Sequence, residues 1–414
     1  MINSLRGFRD LLPPESDLFT RVEAAAREVF GLYGYQELRI PTIEKKELFI
    51  KSTGDTTDIV EKQMYAFTDG GGREVAVRPE GTPGVVRAYI EHNLGQIGRN
   101  GNYFYIGSMF RAERPQAGRY REFTQIGAEC IGNPSPAADA ESILMLVRLL
   151  EKAGVEGCSV ELNSLGCAEC RKTYRETLLG FLLLNSAALC EPCKGRIERN
   201  PLRALDCKID GPALTEKAPK ISLCPACAGH FGRMRELLKI TGVTHKVNAG
   251  LVRGLDYYTR TVFEIKTTAL GSQDSVAAGG RYDDLIKSMG GPVAPAIGWA
   301  MGVDRVAMLL KDKPAPDNAP KTFIVAASKE AGDKAFALMT ALRAADISSD
   351  FSNFELSLKS QMRSAGKSGA SFAMIIGEDE LKAGACAIKP LKEPGEQKTV
   401  PLPDAPSRIK QLLD

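Results

Sequence analysis

The most informative part of the sequence runs from Asn102 to Gly132 and reads NYFYIGSMFRAERPQAGRYREFTQIGAECIG. Its composition predicts two strands around a polar, basic loop. Because successive side chains on a strand point to opposite faces, Arg111 and Glu113 share one face of the first strand. The residues that share one face of the second strand are Phe123, Gln125, Gly127 and Glu129. One face of this predicted hairpin therefore offers an arginine, an aromatic ring, an amide and carboxylates.

Two interpretations of this charged face are open on the pattern alone. A charged strand face is costly to bury unless it binds something. The loop adds Arg114, Arg119 and Arg121, whose guanidinium groups suit a polyanion. A solvated hairpin with salt-bridged charges would explain the same residues.

The segments before the hairpin mix helix and strand signals. SDLFTRVEAAAREVFGLYGY predicts an amphipathic helix with Ser16 as its N-cap. QMYAFTDGGGREVAVRPEGT predicts a short hairpin whose tip is Asp69 to Gly72. Strands and helices do not alternate regularly, so we expect an α+β fold on an antiparallel sheet rather than a doubly wound one.

The bulk composition excludes several classes of protein. The 414 residues suggest two or three domains, and 43% hydrophobic with 25% charged residues is typical of soluble globular proteins. No apolar run reaches the ~20 residues needed to span a bilayer, and the first residues lack the apolar core of a signal peptide. We therefore expect a cytoplasmic protein with no membrane partner. A net charge of +3 neither requires nor excludes a nucleic-acid ligand.

The sequence predicts three regions. Residues 1–320 mix helix and strand signals, with an interruption at about 165–245. KDKPAPDNAPK, from Lys311 to Lys321, is rich in proline and charge and predicts a linker. Residues 321–414 predict a small α/β domain, with TFIVAAS and ASFAMIIG as buried strands and DKAFALMTALRAA and PSRIKQLLD as helices.

Several segments resemble one enzyme family. MFRAERPQAGRYREFTQIGAE resembles motif 2 of class II aminoacyl-tRNA synthetases, in the form found in histidyl-tRNA synthetases. GFRDLLP resembles the family's opening, and RIPTIE resembles motif 1, with Pro41 at its proline. RPEGT, LVRGLDYYTRTVFE and AIGWAMGVDRVAML resemble, in order, the amino-acid loop, the histidine-specific peptide and motif 3. The resemblance covers nearly the whole chain and favours the ligand-binding interpretation of the hairpin.

The resemblance implies a fold and an activity. The fold is a class II catalytic domain on an antiparallel sheet, with a helical insertion and a C-terminal α/β anticodon-binding domain. The activity is ATP-dependent ligation of L-histidine to tRNA(His) through a histidyl-adenylate, with Mg²⁺ on the phosphates. Motif 1 implies a homodimer, with the strand around Arg39 to Ile43 at the interface. The alternative is a non-catalytic, synthetase-like regulatory subunit of histidine biosynthesis, but such paralogues lack the anticodon domain and active-site residues.

For ATP, the resemblance places positively charged side chains where the carboxylate of the amino acid approaches the α-phosphate. Arg111 contacts the α-phosphate, Arg119 reaches the terminal phosphates, and Arg253 lies on the opposite side of the α-phosphate from Arg111. Phe123 stacks on one face of the adenine and Arg305 covers the other. Fixed charge of this kind stabilises the transition state of adenylate formation.

For histidine, the resemblance assigns donors and acceptors to each end of the amino acid. Glu129 holds the imidazole with help from Tyr258, and Glu80 and Thr82 hold the α-amino group. Gln125 lies beside the amino acid and orients the adenylate in the transfer step, so it is also a catalytic candidate. Tyr257 and Tyr282 are pocket walls or secondary contacts, or simply core residues.

Ten cysteines in a cytosolic protein are not expected to form a disulfide framework. Six of them form the C-x-x-C pairs Cys167/Cys170, Cys190/Cys193 and Cys224/Cys227, with Cys207 nearby. The first two pairs are separated by 19 residues, which suits a structural Zn²⁺ site formed by Cys167, Cys170, Cys190 and Cys193. Reduced thiols without metal are the alternative, because six paired cysteines fit one site awkwardly.

The C-terminal region carries a basic helix. Lys359, Arg363 and Lys367 follow at i, i+4 spacing and either touch tRNA phosphates or form an ordinary solvated face. GKS at residues 366–368 is not a phosphate loop, because Gln361 stands where that motif needs glycine.

Overall fold

The computed structural model describes residues 2–54, 57–96, 101–207, 209–313 and 319–413. The chain divides into two compact units, Met1–Ala315 and Pro316–Asp414. Much of the linker predicted at Lys311–Lys321 lies outside the described residues. Within the described part of the chain, no helix is both long and apolar enough to cross a membrane.

The first unit contains both strands and helices. Its strands are β1 (Gln36–Glu37), β2 (Ile43–Lys45), β3 (Tyr65–Thr68), β4 (Glu74–Val77), β5 (Gly101–Phe110), β6 (Glu122–Ile131), β7 (Ser159–Ser164), β8 (His245–Val247), β9 (Thr259–Lys266), β10 (Ser275–Arg281) and β11 (Ala296–Gly302). Its helices are α1 (Glu15–Leu32), α2 (Lys46–Thr53), α3 (Thr82–Glu91), α4 (Pro136–Ala153), α5 (Ala168–Leu184), α6 (Glu191–Lys194), α7 (Leu202–Leu205), α8 (Gly211–Lys217), α9 (Pro225–Ile240), α10 (Leu285–Ser288) and α11 (Val303–Leu310).

The main sheet has the order β1-β5-β6-β11-β10-β9-β7-β8 among the described residues. Its central pairs, from β5 to β7, are all antiparallel, and only the outer pairs β1–β5 and β7–β8 are parallel. The antiparallel α+β fold expected from the sequence is therefore confirmed. A separate antiparallel sheet, β2-β4-β3, includes the short hairpin predicted around Asp69 to Gly72.

The two faces of the main sheet have different chemistry because the strands alternate. On β6, Ile126, Ala128 and Cys130 join a buried apolar core with α1, α4 and α11. In that core the Phe30 ring stacks on Phe104, with ring centroids 4.3 Å apart. The alternate residues of β6 point to the other face, which is where the polar groups of the motif 2 hairpin collect.

One detail of the first helix differs from the sequence prediction. The helix begins at Glu15 with Pro14 in the N-cap position, so Ser16 lies inside the first turn and the Ser16 cap is wrong. Proline is favoured near helix starts because its missing N–H costs nothing there. Glu15 and Asp17 place acidic groups in the first turn, where the helix dipole favours them.

Between β7 and β8 the described residues form helices, from α5 to α9, and no strand. This stretch corresponds to the helical insertion expected at about 165–245. Its middle helices are short: α6 and α7 have four residues each and α8 has seven. Helices of this length are not stable alone and need tertiary contacts or cross-links.

The second unit is a small α/β fold. Its strands are β12 (Thr322–Ala326), β13 (Ser349–Phe351), β14 (Phe372–Ile376), β15 (Ala385–Pro390) and β16 (Lys398–Pro401). Its helices are α12 (Lys329–Ala344), α13 (Leu358–Lys367), α14 (Glu378–Lys382) and α15 (Ala405–Leu413). The sheet order is β13-β12-β14-β15-β16, and the strands and helices predicted in this region are confirmed.

Candidate active site

The polar face of the main sheet opens into one cavity, which we call the adenylation cavity. Residues that line it include Glu80, Thr82, Arg111, Arg119, Phe123, Gln125, Arg253, Tyr257, Tyr258 and Arg305. These ten side chains come from the motif 2 hairpin, the start of α3, the loop before β9 and the start of α11. Residues that the sequence identified separately are therefore brought together around one space.

Four arginines converge on this cavity. Arg111 follows the last residue of β5; its Nε donates to the Pro79 carbonyl at 2.9 Å, and its guanidinium lies 5.2 Å from the Phe123 ring centroid. Arg253 pairs with Glu264 at 3.3 Å, and Arg119 pairs with Glu113 at 3.2 Å.

Arg305 completes the set from α11. Its Nε donates to the Gly118 carbonyl at 3.5 Å, which connects the motif 3 helix to the motif 2 loop. Burial and the nearby positive charge of Arg119 lower the pKa of the Arg305 guanidinium. Placing several positive charges close together is unfavourable, and a bound anion would offset their repulsion. This end of the cavity is therefore suited to bind an anion.

The carboxylate of Glu80 has an unusual environment. Glu80 is 4% exposed, and among the described residues its Oε1 is buried without a hydrogen-bond partner. Burial raises its pKa to about 7, against the opposing pull of Arg111 and Arg253. A buried acceptor of this kind is suited to a cationic ligand group, such as an ammonium.

Glu129 lies behind the cavity rather than in its lining. It is fully buried, and its two oxygens accept hydrogen bonds from Thr82 Oγ1 at 2.6 Å and Tyr282 Oη at 2.5 Å. Burial raises its pKa to about 8, although both hydrogen bonds favour the ionised form. Thr82 therefore contacts Glu129 here, and Tyr282 is joined to the site through the same carboxylate.

Tyr105 is a cavity residue that the sequence analysis did not single out. Its hydroxyl donates to Gln125 Oε1 at 3.3 Å, and its ring fills the space left by two glycines. A Cβ on Gly81 or Gly127 would lie 2.2 or 2.3 Å from that ring. The alternation of β5 was enough to place Tyr105 on the polar face, opposite Gly127 in the register.

Two further ion pairs support the site and were also missed. Arg9, in the GFRDLLP segment, contacts Asp304 at 2.9 Å and lies over the Tyr120 ring at 3.9 Å, so it ties the motif 2 loop to α11. Behind Tyr282, the buried Arg281 donates to Asp139 at 2.7 Å. Sequence alone gave no signal for these pairs because their partners are far apart in the chain.

The cysteines are grouped differently from the prediction. Cys167 and Cys170 lie with Cys224 and Cys227, and Cys190 and Cys193 lie with Cys207 and Asp210. The expected four-cysteine set of Cys167, Cys170, Cys190 and Cys193 is therefore not brought together. The reason is topological: α5 separates the first pair from the second, whereas the start of α9 returns to the start of α5.

Cys130 and Cys386 are buried, and Cys158 is half-buried. Burial raises the pKa of the Cys130 thiol to about 11. These three cysteines lie outside both groups.

An antiparallel sheet that presents arginines from a hairpin and from a following helix to one cavity is the arrangement that the resemblance to class II aminoacyl-tRNA synthetases implies. The family model described as histidyl-tRNA synthetase matches residues 7–306, and the model described as anticodon binding domain matches residues 321–412. The chain belongs to the histidyl-tRNA synthetase family.

Individual relatives agree with this assignment over their full lengths. The chain is 51% identical to a protein named histidine--tRNA ligase from Elusimicrobium minutum, covering 100% of both chains. It is 49% identical to a protein of the same name from Geobacter sulfurreducens, covering 97% of this chain and 98% of the relative. The crystal structure of apo S. aureus histidyl-tRNA synthetase is 30% identical with a TM-score of 0.84, covering 99% of this chain and all of that one.

These similarities give the activity as tRNA histidylation by an aminoacyl-tRNA ligase, with histidine, ATP and tRNA as substrates and Mg²⁺ as the usual companion of ATP. The regulatory-subunit alternative is less well supported, because the matches extend through the anticodon-binding region.

Proposed function

We propose that the adenylation cavity forms histidyl-adenylate and then transfers the histidyl group to tRNA(His), with the residue roles described below. The observation that carries this proposal is the meeting of four arginines with the buried carboxyl group of Glu80 around one space, while Glu129 is buried behind that space and accepts a hydrogen bond from Thr82 in its lining. The arginines suit the phosphates of ATP, and the carboxyl groups suit the ammonium and imidazole of histidine.

In the first step, a carboxylate oxygen of histidine attacks the α-phosphorus of ATP, a new P–O bond forms, and pyrophosphate leaves. Arg111 and Arg253 hold the α-phosphate from two sides, and Arg119 binds the terminal phosphates. Phe123 and Arg305 enclose the adenine. Charge fixed in advance around the phosphorus costs no reorganisation during the reaction.

Magnesium neutralises phosphate charge when it is bound. Glu113 and Glu264 are the residues that would hold it, because each is a hard oxygen donor beside a phosphate-binding arginine and each side chain is 12% exposed.

Histidine is selected by paired polar groups. Glu80, whose Oε1 lacks a partner in the described structure, takes the α-ammonium. Glu129 retains a lone pair on each oxygen beyond its bonds to Thr82 and Tyr282, so it accepts the imidazole N–H, with Tyr258 alongside. An amino acid without that N–H would leave Glu129 buried and less well paired, which is the basis of rejection. Tyr257 and Tyr282 support the pocket walls.

In the second step, the terminal ribose hydroxyl of tRNA attacks the carbonyl carbon and AMP leaves. The hydroxyl proton passes to a phosphate oxygen of the adenylate, and Gln125 orients that group. A neighbouring cavity shares Arg253 and Tyr258 with the adenylation cavity. The basic residues that line it are Arg171, Lys172, Arg175, Arg199 and Arg203, and we assign it to the acceptor end of tRNA.

The second unit is assigned to the anticodon. Lys359, Arg363 and Lys367 on α13 are exposed and supply phosphate contacts. The site of action is the cytoplasm, where tRNA and ATP are available. Zinc held by insertion cysteines is structural, because no cysteine is found among the described residues that line the adenylation cavity.

The protein works as a homodimer through the motif 1 region. Ile43, on the short strand β2, is 52% exposed, and β1 is an edge strand of the main sheet in the described part of the chain. Sedimentation at micromolar concentration should give twice the chain mass, and a fully active monomer would contradict the dimer.

Amino-acid-dependent exchange of pyrophosphate into ATP tests the first step. Histidine should support exchange, and the other nineteen amino acids should not. Charging of tRNA(His) in the same preparation tests the second step. Exchange with a different amino acid, or none in a protein that binds histidine, would overturn the proposed roles.

A further inference from the structure

The insertion contains four pairs of metal-type ligands with the same spacing. They are Cys167/Cys170, Cys190/Cys193, Cys207/Asp210 and Cys224/Cys227, each at i, i+3. In the structure the first and last pairs along the chain lie together, and the second and third pairs lie together. We call these the outer cluster (Cys167, Cys170, Cys224 and Cys227) and the inner cluster (Cys190, Cys193, Cys207 and Asp210).

The outer cluster has the dimensions of a tetrahedral thiolate site. Its four Sγ atoms lie within 4.8 Å of one another, and Cys167 Sγ is 3.7 Å from Cys170 Sγ. A zinc ion bonded to four sulfurs at ~2.3 Å requires S···S edges of about 3.8 Å. The Cys224 amide donates to Cys170 Sγ at 3.2 Å, which orients that sulfur and ties the second C-x-x-C pair of the cluster to the first.

The inner cluster repeats this arrangement with one carboxylate. Cys190 Sγ lies 3.8 Å from Cys207 Sγ, and all four ligand atoms lie within 4.8 Å of one another. The Cys190 amide donates to the Asp210 oxygens at 3.0 and 3.3 Å, which orients that carboxylate. Asp210 therefore stands in the position that a fourth cysteine would take, since zinc accepts carboxylate oxygen beside thiolates.

The three C-x-x-C pairs also have the same backbone arrangement. Cys167, Cys190 and Cys224 are each the N-cap of a helix, with extended backbone angles, so the second cysteine of each pair lies in the first helical turn. The second cysteines, Cys170, Cys193 and Cys227, are buried. Both sulfurs of a pair therefore face one point, inside a region of short helices that cross-links would stabilise.

We propose that the insertion binds two structural zinc ions, one in the outer cluster and one in the inner cluster. This extends the structural-zinc part of the proposed function and is independent of the adenylation roles. The outer ion fastens the start of α5 to the start of α9 and so closes the insertion at its base. The inner ion fixes the segment between Cys193 and Cys207.

The inner site also supports the active-site loop. The segment that it closes includes Asn200, whose Nδ2 donates to Asp256 Oδ1 at 2.8 Å, and the buried Arg203, which lies 3.7 Å from the same oxygen. Asp256 lies three residues after Arg253 in the histidine-specific loop. Loss of the inner ion should therefore disturb this loop, although none of the proposed zinc ligands is among the described residues that line the adenylation cavity.

Elemental analysis of the full-length chain, expressed with added zinc and purified without chelators, tests the proposal. We expect two zinc ions per chain. Cys224→Ser and Cys207→Ser should each lower the content to one, and Cys158→Ser, outside both clusters, should leave it at two. Less than half a zinc per chain, iron in place of zinc, or unchanged content in either cluster variant would overturn the proposal.

Cobalt substitution decides the case if a serine variant fails to fold. Thiolate-to-cobalt absorption should report four sulfurs in one site and three in the other, and Asp210→Cys should increase it while the metal content stays at two. If Asp210→Cys leaves the absorption unchanged, Asp210 is not a ligand of the inner site. Pyrophosphate exchange measured alongside separates the outcomes, because metal content does not depend on the adenylation roles.

Discussion

At the scale of single residues, Arg253 has the most specific role in the proposed chemistry. Its guanidinium is held by Glu264 at 3.3 Å and lines the adenylation cavity with Arg111. Arg253→Ala should remove ~3–4 kcal/mol of transition-state stabilisation and so slow adenylate formation. Histidine affinity should change little, because the charge is needed mainly as the α-phosphorus becomes five-coordinate.

Pre-steady-state adenylate formation and calorimetric histidine binding measure the two effects separately. Arg148→Ala is the matched control, since Arg148 is an exposed arginine that pairs with Glu151 on its own helix. Normal turnover with a raised Michaelis constant for histidine would refute the role of Arg253.

The two buried carboxyl groups make histidine binding depend on pH. In the empty site the pKa of Glu80 is about 7 and that of Glu129 about 8, both raised by burial. The ammonium and the imidazole N–H of histidine favour the ionised forms of these two carboxyl groups. At a pH below their pKa values, histidine binding must therefore release protons from them. Histidine affinity should therefore rise as pH increases from 6 to 8, and protons should be released at pH 7.

Calorimetry at pH 7 in buffers of different ionisation enthalpy counts those protons. Glu80→Gln should release about half a proton fewer than the unmodified protein, since a group with a pKa near 7 is half protonated at that pH. The comparison cancels the ionisation of histidine itself. Equal proton counts would show that Glu80 is already ionised in the empty site.

The same raised pKa values have a consequence for stability. A carboxyl group whose folded pKa lies above its unfolded value, about 4.3, favours the folded state most at low pH. That contribution is lost as pH rises toward about 7 for Glu80 and about 8 for Glu129. These two carboxyl groups therefore contribute less to the stability of the folded protein at neutral pH than at low pH, which is consistent with groups placed for a ligand rather than for stability.

Residue identities in the site were largely predictable, but contacts were not. Strand alternation on the hairpin, together with the resemblance to class II synthetases, identified ten of the residues that line the cavity. It assigned Thr82 to the amino group of histidine, whereas in the structure Thr82 donates to Glu129. Such contacts depend on how α3 approaches β6, and no local pattern contains that information.

At the scale of elements, Gln361 shows how a helix is fixed to a strand. It is fully buried on α13; its Nε2 donates to the Ala326 carbonyl at 2.7 Å, and its Oε1 accepts from the Ala326 amide at 3.0 Å. Gln361→Leu should destabilise the second unit by about 2–4 kcal/mol, because two backbone groups at the end of β12 lose their partner.

Urea unfolding and amide hydrogen exchange at Ala326 measure this effect. Met362→Leu, a volume-conserving change at the neighbouring helix position, should cost under about 1.5 kcal/mol. A Gln361→Leu protein with an unchanged unfolding midpoint and a protected Ala326 amide would show that the pairing is not important for stability.

Elements were predicted well where periodicity was strong. The motif 2 hairpin follows from alternation, β12 and β14 follow from short apolar runs, and α12 follows from helical spacing, whereas β13, β15 and β16 were not predicted. The cap of α1 was misassigned because Pro14 competes with Ser16 for the start of the helix. The cysteine grouping was missed because C-x-x-D at Cys207 and Asp210 was not read as a fourth pair, and nesting is set by tertiary structure.

At the scale of the whole molecule, the two units should carry separable functions. The adenylation cavity lies entirely within the first unit, and no residue that lines it comes from Pro316–Asp414 among the described residues. A chain that ends at residue 320 should therefore retain histidine-dependent pyrophosphate exchange and lose most tRNA charging. A folded truncation that charges tRNA normally would make the anticodon assignment wrong.

Charge reversal within the intact chain tests the same division without removing a unit. Lys359, Arg363 and Lys367 are exposed on α13 in the second unit, and they are not among the described residues that line the adenylation cavity. If they contact tRNA phosphates, reversing all three to glutamate should raise the Michaelis constant for tRNA at least tenfold, because each lost contact is replaced by repulsion. Pyrophosphate exchange should remain unchanged.

The matched control reverses three other exposed lysines of the second unit, Lys329, Lys334 and Lys410, and so makes the same change in net charge. A general electrostatic attraction between protein and tRNA would make both triple variants equally poor. A specific site on α13 would raise the Michaelis constant for tRNA only in the first variant. The difference between the two variants should decrease as salt is added, since phosphate contacts are screened. Equal Michaelis constants for the two variants would leave α13 as an ordinary solvated helix and move the anticodon contact to another face of the unit.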